Sequence, residues 1–218
     1  MHRQRELRAG ALGAVLVALG GCGDGPPAGE TAPDDATILL EYEADTPDLE
    51  AQHHAWHLAT SRSSPSYGLE FLRFHRTLIG TYDTWRATHG YAPLAPWDPG
   101  TPIPHDAPHP GRLSENPSAV DPLCRRPVWL TVAGGSRGEQ DPDFGAANLA
   151  SFTSSNQLGR SIDSATSPNW HGRVHATVGG DFESATRLVH DPIFWRWHKF
   201  IDDIWATYQA EVPGAPDQ

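Results

Sequence analysis

The chain has one lysine, one methionine and two cysteines in 218 residues. Two cysteines cannot staple a disulfide-dense scaffold. Cationic charge is scarce: 16 basic residues face 27 acidic ones, for a formal net charge of −11. That balance argues against a general nucleic-acid binder. Apolar residues make up only 38%, but eight tryptophans can fill a core, so global disorder is excluded. The apolar stretch 11–21 (ALGAVLVALGG) has eleven residues, too few to span a bilayer. The length suits one domain with room for a tail. What the chain does have is twelve histidines. Neutral imidazole is the commonest metal ligand and titrates near neutral pH, so the placing of these histidines is informative.

The N-terminus reads as an address. Arg3, Arg5 and Arg8 precede the short apolar stretch, as in an export signal. Leu19-Gly20-Gly21-Cys22 resembles a bacterial lipobox. That resemblance implies a lipoprotein signal peptide over 1–21 and lipidation of Cys22, the first residue of the mature chain. The alternative is an ordinary secretory signal with a coincidental cysteine. Gly23 follows Cys22, which points to the outer membrane, with the domain facing the periplasm. Removing residues 1–21 takes away three arginines and one glutamate, leaving 13 basic and 26 acidic residues and a net charge of −13. Cys124 then has no intrachain partner and is expected to be a buried small residue. Residues 22–36 are Gly, Pro and acid and read as a flexible tether. The expected domain is 37–212, followed by a tail over 213–218.

Four segments have helical character. Residues 45–60 offer Asp45 or Thr46 as a cap and Pro47 in the first turn. In residues 68–89, Leu69, Leu72, Phe74, Leu78, Ile79, Tyr82 and Trp85 recur mostly at steps of three and four, and Gly90 stops the pattern. Residues 169–178 lie between Pro168 and Gly179-Gly180. Residues 191–211 open on the cap Asp191 and Pro192 and end before Pro213. Residues 91–123 hold nine prolines without periodicity, an irregular stretch of a length that is often functional. Residues 128–133 (VWLTVA) suit a short strand. The predicted fold is mainly α, a four-helix bundle with long Pro-rich loops.

The helices concentrate the histidines. His53 and His57 are spaced i, i+4, as are His171 and His175, so each pair shares one helix face. The other two helices supply one histidine each, His75 and His198. Bundles build metal sites from side chains that four helices project inward. Three imidazoles per ion, twice, accounts for six histidines. A donor set without carboxylate suits Cu, Zn, Fe or Ni. Neither pair has the glutamate of a zinc-protease HExxH helix. No soft Cys–Met set for an electron-transfer copper centre is present.

Asp191-Pro192-Ile193-Phe194-Trp195-Arg196-Trp197-His198, continued by Ile201, Asp202 and Trp205, resembles the second-copper signature of the tyrosinase, catechol oxidase and haemocyanin superfamily. His198 matches its ligand, and Trp197 replaces the neighbouring histidine. His171 and His175 match the family's HxxxH, with Val178-Gly179-Gly180 following as is usual there. Phe71-Leu72-Arg73-Phe74-His75-Arg76 resembles the first-copper motif, and Pro96-Trp97-Asp98 a segment that follows it. Tyrosinases place a further ligand histidine eight or nine residues before the one matched by His75. Tyr67 and Ser66 stand there instead. The HHAWHL stretch is similar to the arthropod haemocyanin arrangement, which implies His53, His57 and His75 as ligands, with His54 in reserve.

The resemblance implies two copper ions that bind O2 between them. It implies oxidation of an o-diphenol to an o-quinone, preceded in tyrosinases by hydroxylation of a monophenol. Many tyrosinases resemble one another in an Asn directly after the first ligand of the second copper, with an acidic residue upstream; the two hold a water as base. Gly172 stands at the Asn place, and Asp163 is the candidate acid. With the Asn absent, diphenol oxidation is expected over strong monophenol hydroxylation. Phe194 and Trp197 are candidate core or pocket residues, and Asp202 a candidate carboxylate for orienting a ligand imidazole. His105, His109, His89 and His190 need no metal. Other readings of the same histidines are O2 carriage without chemistry, copper binding or sensing at the envelope, and a zinc hydrolase. The expected partners are O2 and a phenol, with the membrane reached only through the lipid anchor and no nucleic acid.

Overall fold

A computed structural model describes residues 33–104, 144–164 and 169–214. The signal-peptide and Cys22 readings, His105, His109, Cys124 and the strand expected over 128–133 lie outside the described residues. Among the described residues the regular structure is helical: α1 (Asp35–Asp45), α2 (Leu49–Ala59), α3 (Tyr67–Thr88), the single turn α4 (Ala146–Leu149), α5 (Ser155–Ile162), α6 (Trp170–Val178) and α7 (Pro192–Glu211). Two 3-10 turns, Gly180–Glu183 and Leu188–His190, join α6 to α7.

Helix α1 begins inside the stretch read as tether. The Asp34 side chain accepts from the Thr37 N–H at 2.8 Å and caps it. Ile38, Leu39 and Tyr42 bury its inner face. Asp35 is buried, accepting from Arg86 of α3 at 2.9 Å and from Arg196 of α7 at 2.5 Å. A carboxylate can be buried there because two guanidinium groups meet it. Thr46, expected to cap the next helix, instead ends this one; its N–H and hydroxyl donate to the Glu43 and Tyr42 carbonyls. Helix α2 therefore starts later than 45, at Leu49.

The other three expected helices form close to their predicted limits. Asn169 caps α6, accepting from the Gly172 N–H at 3.0 Å, and Gly179 at φ 72° ends it. Asp191 caps α7 through the Ile193 N–H at 2.9 Å, with Pro192 in its first turn. Helix α5 has no counterpart among the four expected helices. It packs on α3 where Gly68 and Gly159 cross; a Cβ on either would come within 2.1 Å of backbone oxygen on the other helix. Only glycine allows that approach.

Helices α3 and α7 form the spine of the core. Arg76 of α3 lies 3.6 Å above the Trp205 ring and donates to Asp202 at 2.5 Å. These contacts tie the first-copper-like motif to the second-copper-like one. Trp97, at the start of the Pro-rich stretch, donates its backbone N–H to the Arg196 carbonyl and lies near Trp197, itself against Trp170. Helices α2, α3, α6 and α7 then direct their histidines to one interior region.

Candidate metal centre

The six histidines fall into two groups. His53 and His57 of α2 join His75 of α3; His171 and His175 of α6 join His198 of α7. Within each group one ring nitrogen per residue lies within 4.8 Å of the others. All but His57 are buried. The His75 and His198 rings stack at 4.5 Å with 13° between planes, so the groups adjoin. The helical steps predicted this sharing of faces, and the tertiary packing of α3 against α7 joins the two halves.

Hydrogen bonds orient the rings. His75 donates its Nδ1–H to the Phe71 carbonyl at 2.9 Å, His198 to Phe194 at 2.7 Å and His175 to Phe182 at 2.6 Å. In the neutral rings each Nε2 is then an acceptor lone pair. His175 Nε2 and His198 Nε2 both lie 3.0 Å from His171 Nε2, and His57 Nε2 lies 3.2 Å from His53 Nε2. One proton on His171 can satisfy only one of its two neighbours. His75 Nε2 is buried with no hydrogen-bond partner. Converging ring nitrogens that single protons cannot all satisfy suit a cation at the focus of each group. The all-imidazole donor set fits Cu, Zn, Fe or Ni.

Burial keeps five of the six rings neutral. Desolvation, then the neighbouring imidazoles, lowers His53 to about 2. Desolvation and His171 lower His57 to about 4. Desolvation also holds His75, His175 and His198 well below the ordinary histidine value, reinforced by the other histidines. Neutral imidazole is the form that binds metal.

A cavity of about 460 Å³ opens beside both groups. His57, His171 and His175 line it, with Leu58, Ala176 and Leu188 as apolar wall and Arg62 and Tyr67 at another side. Leu58 is 76% exposed. Gly172 and His54 also line the cavity, and His54 stands outside the first three-histidine group.

The remaining predicted residues lie around these groups. Asp163 is fully buried behind the wall, accepting from the Tyr67 hydroxyl and from Arg62 at 3.2 and 3.3 Å. Burial alone would raise its pKa. His171, Tyr67 and Arg62 outweigh that and hold it below the usual carboxylate range. Phe194 packs edge-on to His53 at 5.2 Å and against His198 at 4.1 Å. Trp197 belongs to the tryptophan cluster of the core. Asp202 meets Arg76 and not an imidazole. His190 bridges Glu43 and Glu50, at 2.7 and 3.1 Å, and His89 stacks on Trp85 at the surface. Sequence reasoning treated Tyr67 only as a place where a histidine was missing. Its bond to Asp163, 96 residues away, had no local signal.

Two adjoining three-histidine groups beside an open cavity give two places that could each hold a metal ion. Residues 139–211 match the family model described as the common central domain of tyrosinase, a range that contains the second histidine group but not the first. A tyrosinase of Streptomyces antibioticus is 42% identical over 48 residues, 22% of this chain and 17% of the relative. The hemocyanin B chain of Aphonopelma sp. is 26% identical over an alignment covering 82% of this chain and 36% of the relative. Phenoloxidase 2 of Holotrichia diomphalia is 29% identical over 39% of this chain and 14% of the relative. The matched stretch thus spans under a fifth of the Streptomyces enzyme. No solved structure gives a significant match. Over residues 139–211 the chain is thus similar to the tyrosinase central domain, and over a wider range, at lower identity, to hemocyanin.

Proposed function

We propose that the chain binds two copper ions, three histidines to each, and uses O2 to oxidise o-diphenols to o-quinones. The observation that carries this reading is the pair of adjoining imidazole groups facing an open cavity. A copper pair bound there would supply O2 binding and two-electron redox chemistry. The protein's own part is geometric and electrostatic. Backbone carbonyls fix ring orientation at His75, His175 and His198. Burial holds five of the imidazoles neutral, ready to bind metal. The apolar cavity wall at Leu58, Ala176 and Leu188 receives an aromatic ring, and Gly172 leaves the approach beside His171 free of a side chain. Two o-diphenols give four electrons and four protons to one O2, yielding two o-quinones and two waters. The absence of an Asn after His171 supports diphenol oxidation over monophenol hydroxylation.

The test is copper-loaded protein given catechol, with quinone absorbance and O2 uptake followed together. Two quinones per O2 are expected. Copper-loaded protein that forms no quinone contradicts the oxidase reading. Reversible O2 carriage is the second reading, favoured by the hemocyanin match over 82% of the chain. An O2-dependent near-UV band without catechol turnover selects it. Zinc as the sole bound ion, with hydrolytic activity, contradicts both.

For the N-terminal segment the proposal is a lipid anchor on Cys22, holding the domain at the outer membrane on its periplasmic side. Labelled fatty acid should enter the wild type and not Cys22→Ser; an unlabelled wild type contradicts the anchor.

A further inference from the structure

We propose that Asp163 is a positioning residue: its buried carboxylate orients the His171 ring through Nδ1, while Tyr67 and Arg62 hold the carboxylate in place. The inference rests on the metal-binding reading of the histidines, not on the oxidase activity.

The second histidine group is supported unevenly. His175 and His198 each find a backbone carbonyl for Nδ1. His171 finds none, and its Nδ1 is buried without a hydrogen-bond partner. The carboxylate oxygen Oδ1 of Asp163 lies 3.6 Å from that atom, at ion-pair rather than hydrogen-bond distance. A cation on Nε2 makes Nδ1–H a stronger donor toward that carboxylate. Histidine ligands commonly hand their outer N–H to a carboxylate in this way.

The carboxylate is itself held on every side. Asp163 is fully buried at the C-terminal end of α5. Oδ2 takes the Tyr67 hydroxyl from α3 and the Arg62 Nε from the segment after α2; Oδ1 takes Arg62 Nη2 and faces His171. A carboxylate has about four acceptor sites; three take hydrogen bonds and the fourth faces His171 Nδ1. None is left to hold a water in the cavity, so the arrangement favours orientation over proton abstraction.

Cobalt(II) titration tests this with a readout independent of catalysis, since its ligand-field bands report site geometry. Asp163→Asn is made in two backgrounds. His57→Ala leaves only the second group intact, and His198→Ala only the first. In the His57→Ala background, Asp163→Asn should weaken cobalt binding about 10–100-fold and alter the bands. In the His198→Ala background it should change neither. Equal weakening in both backgrounds, or none in the first, overturns the proposal. Tyr67→Phe keeps the ring and removes only the hydroxyl. It should shift the second site in the same direction by less. Should Asp163→Asn fail to fold, Tyr67→Phe becomes the deciding variant, and an unchanged second site then overturns the proposal. Wild-type protein that binds two cobalt ions but oxidises no catechol when copper-loaded contradicts the oxidase reading alone. Asp163→Asn that binds as the wild type does contradicts this proposal alone.

Discussion

Six histidine side chains make up the two groups that could hold metal, and five of them share one electrostatic signature. Burial and mutual repulsion depress His53 to about 2 and His57 to about 4, and push His75, His175 and His198 well down. Unfolded imidazoles take up protons near pH 6.5. Between that pH and the folded values only the unfolded chain binds them, so stability falls as pH drops. The metal-free protein should be fully stabilised above pH 6.5 and lose stability progressively from 6.5 toward 4. His190, raised through Glu43 and Glu50 against its own desolvation, pulls the other way, but one group opposes five. Melting temperatures of metal-free protein at pH 7.5 and 5 check this; an equal or higher value at pH 5 contradicts it. A second expectation concerns the ligand choice on α2. His57→Ala should retain one tightly bound ion per chain, because His54 lines the cavity outside the group. Two tightly bound ions in that variant would assign His54 instead. The i, i+4 spacing made these pairs readable from sequence, since helix geometry alone sets it. The Asp163 contacts to Tyr67 and Arg62 join residues 96 and 101 apart, and nothing local signals them.

At the scale of elements, helices with caps and helical spacing are legible in the sequence, the nine-residue α6 included, and α1 and α5 are not. Helix α7 has Asp191, Pro192 and a sustained apolar stripe, so its limits follow from sequence. Helix α1 follows a run of Gly, Pro and acid, and its buried Asp35 is accommodated only by arginines from α3 and α7. Helix α5 has eight residues with Leu158 and Ile162 as its large apolar side chains and Gly159 inside it, a composition that reads as loop. That glycine fits because α3 crosses within backbone contact at Gly68. Gly159→Ala would place a methyl 2.1 Å from the Gly68 carbonyl oxygen. The helices must part, at a cost of about 1–3 kcal/mol or more. Urea unfolding should show this loss, and a midpoint unchanged or raised would contradict the close crossing.

The whole molecule is held by contacts that also position the site. Asp35 joins α1, α3 and α7 through Arg86 and Arg196, and Arg76 fixes α3 against Trp205 and Asp202 of α7. Removing the shared carboxylate takes a counter-charge from two buried guanidinium groups at once. Asp35→Ala should therefore cost about 3–5 kcal/mol, read by chemical denaturation; a loss below about 1 kcal/mol contradicts the buried triad. Such packing is what brings two histidine groups, far apart in sequence, into ring contact at His75 and His198. The most direct test is therefore metal stoichiometry. Purified chain titrated anaerobically with copper(I) should bind two ions tightly, and His75→Ala and His198→Ala should each retain one. Binding of a single ion by the wild type, or two ions retained in both variants, would contradict a paired three-histidine centre.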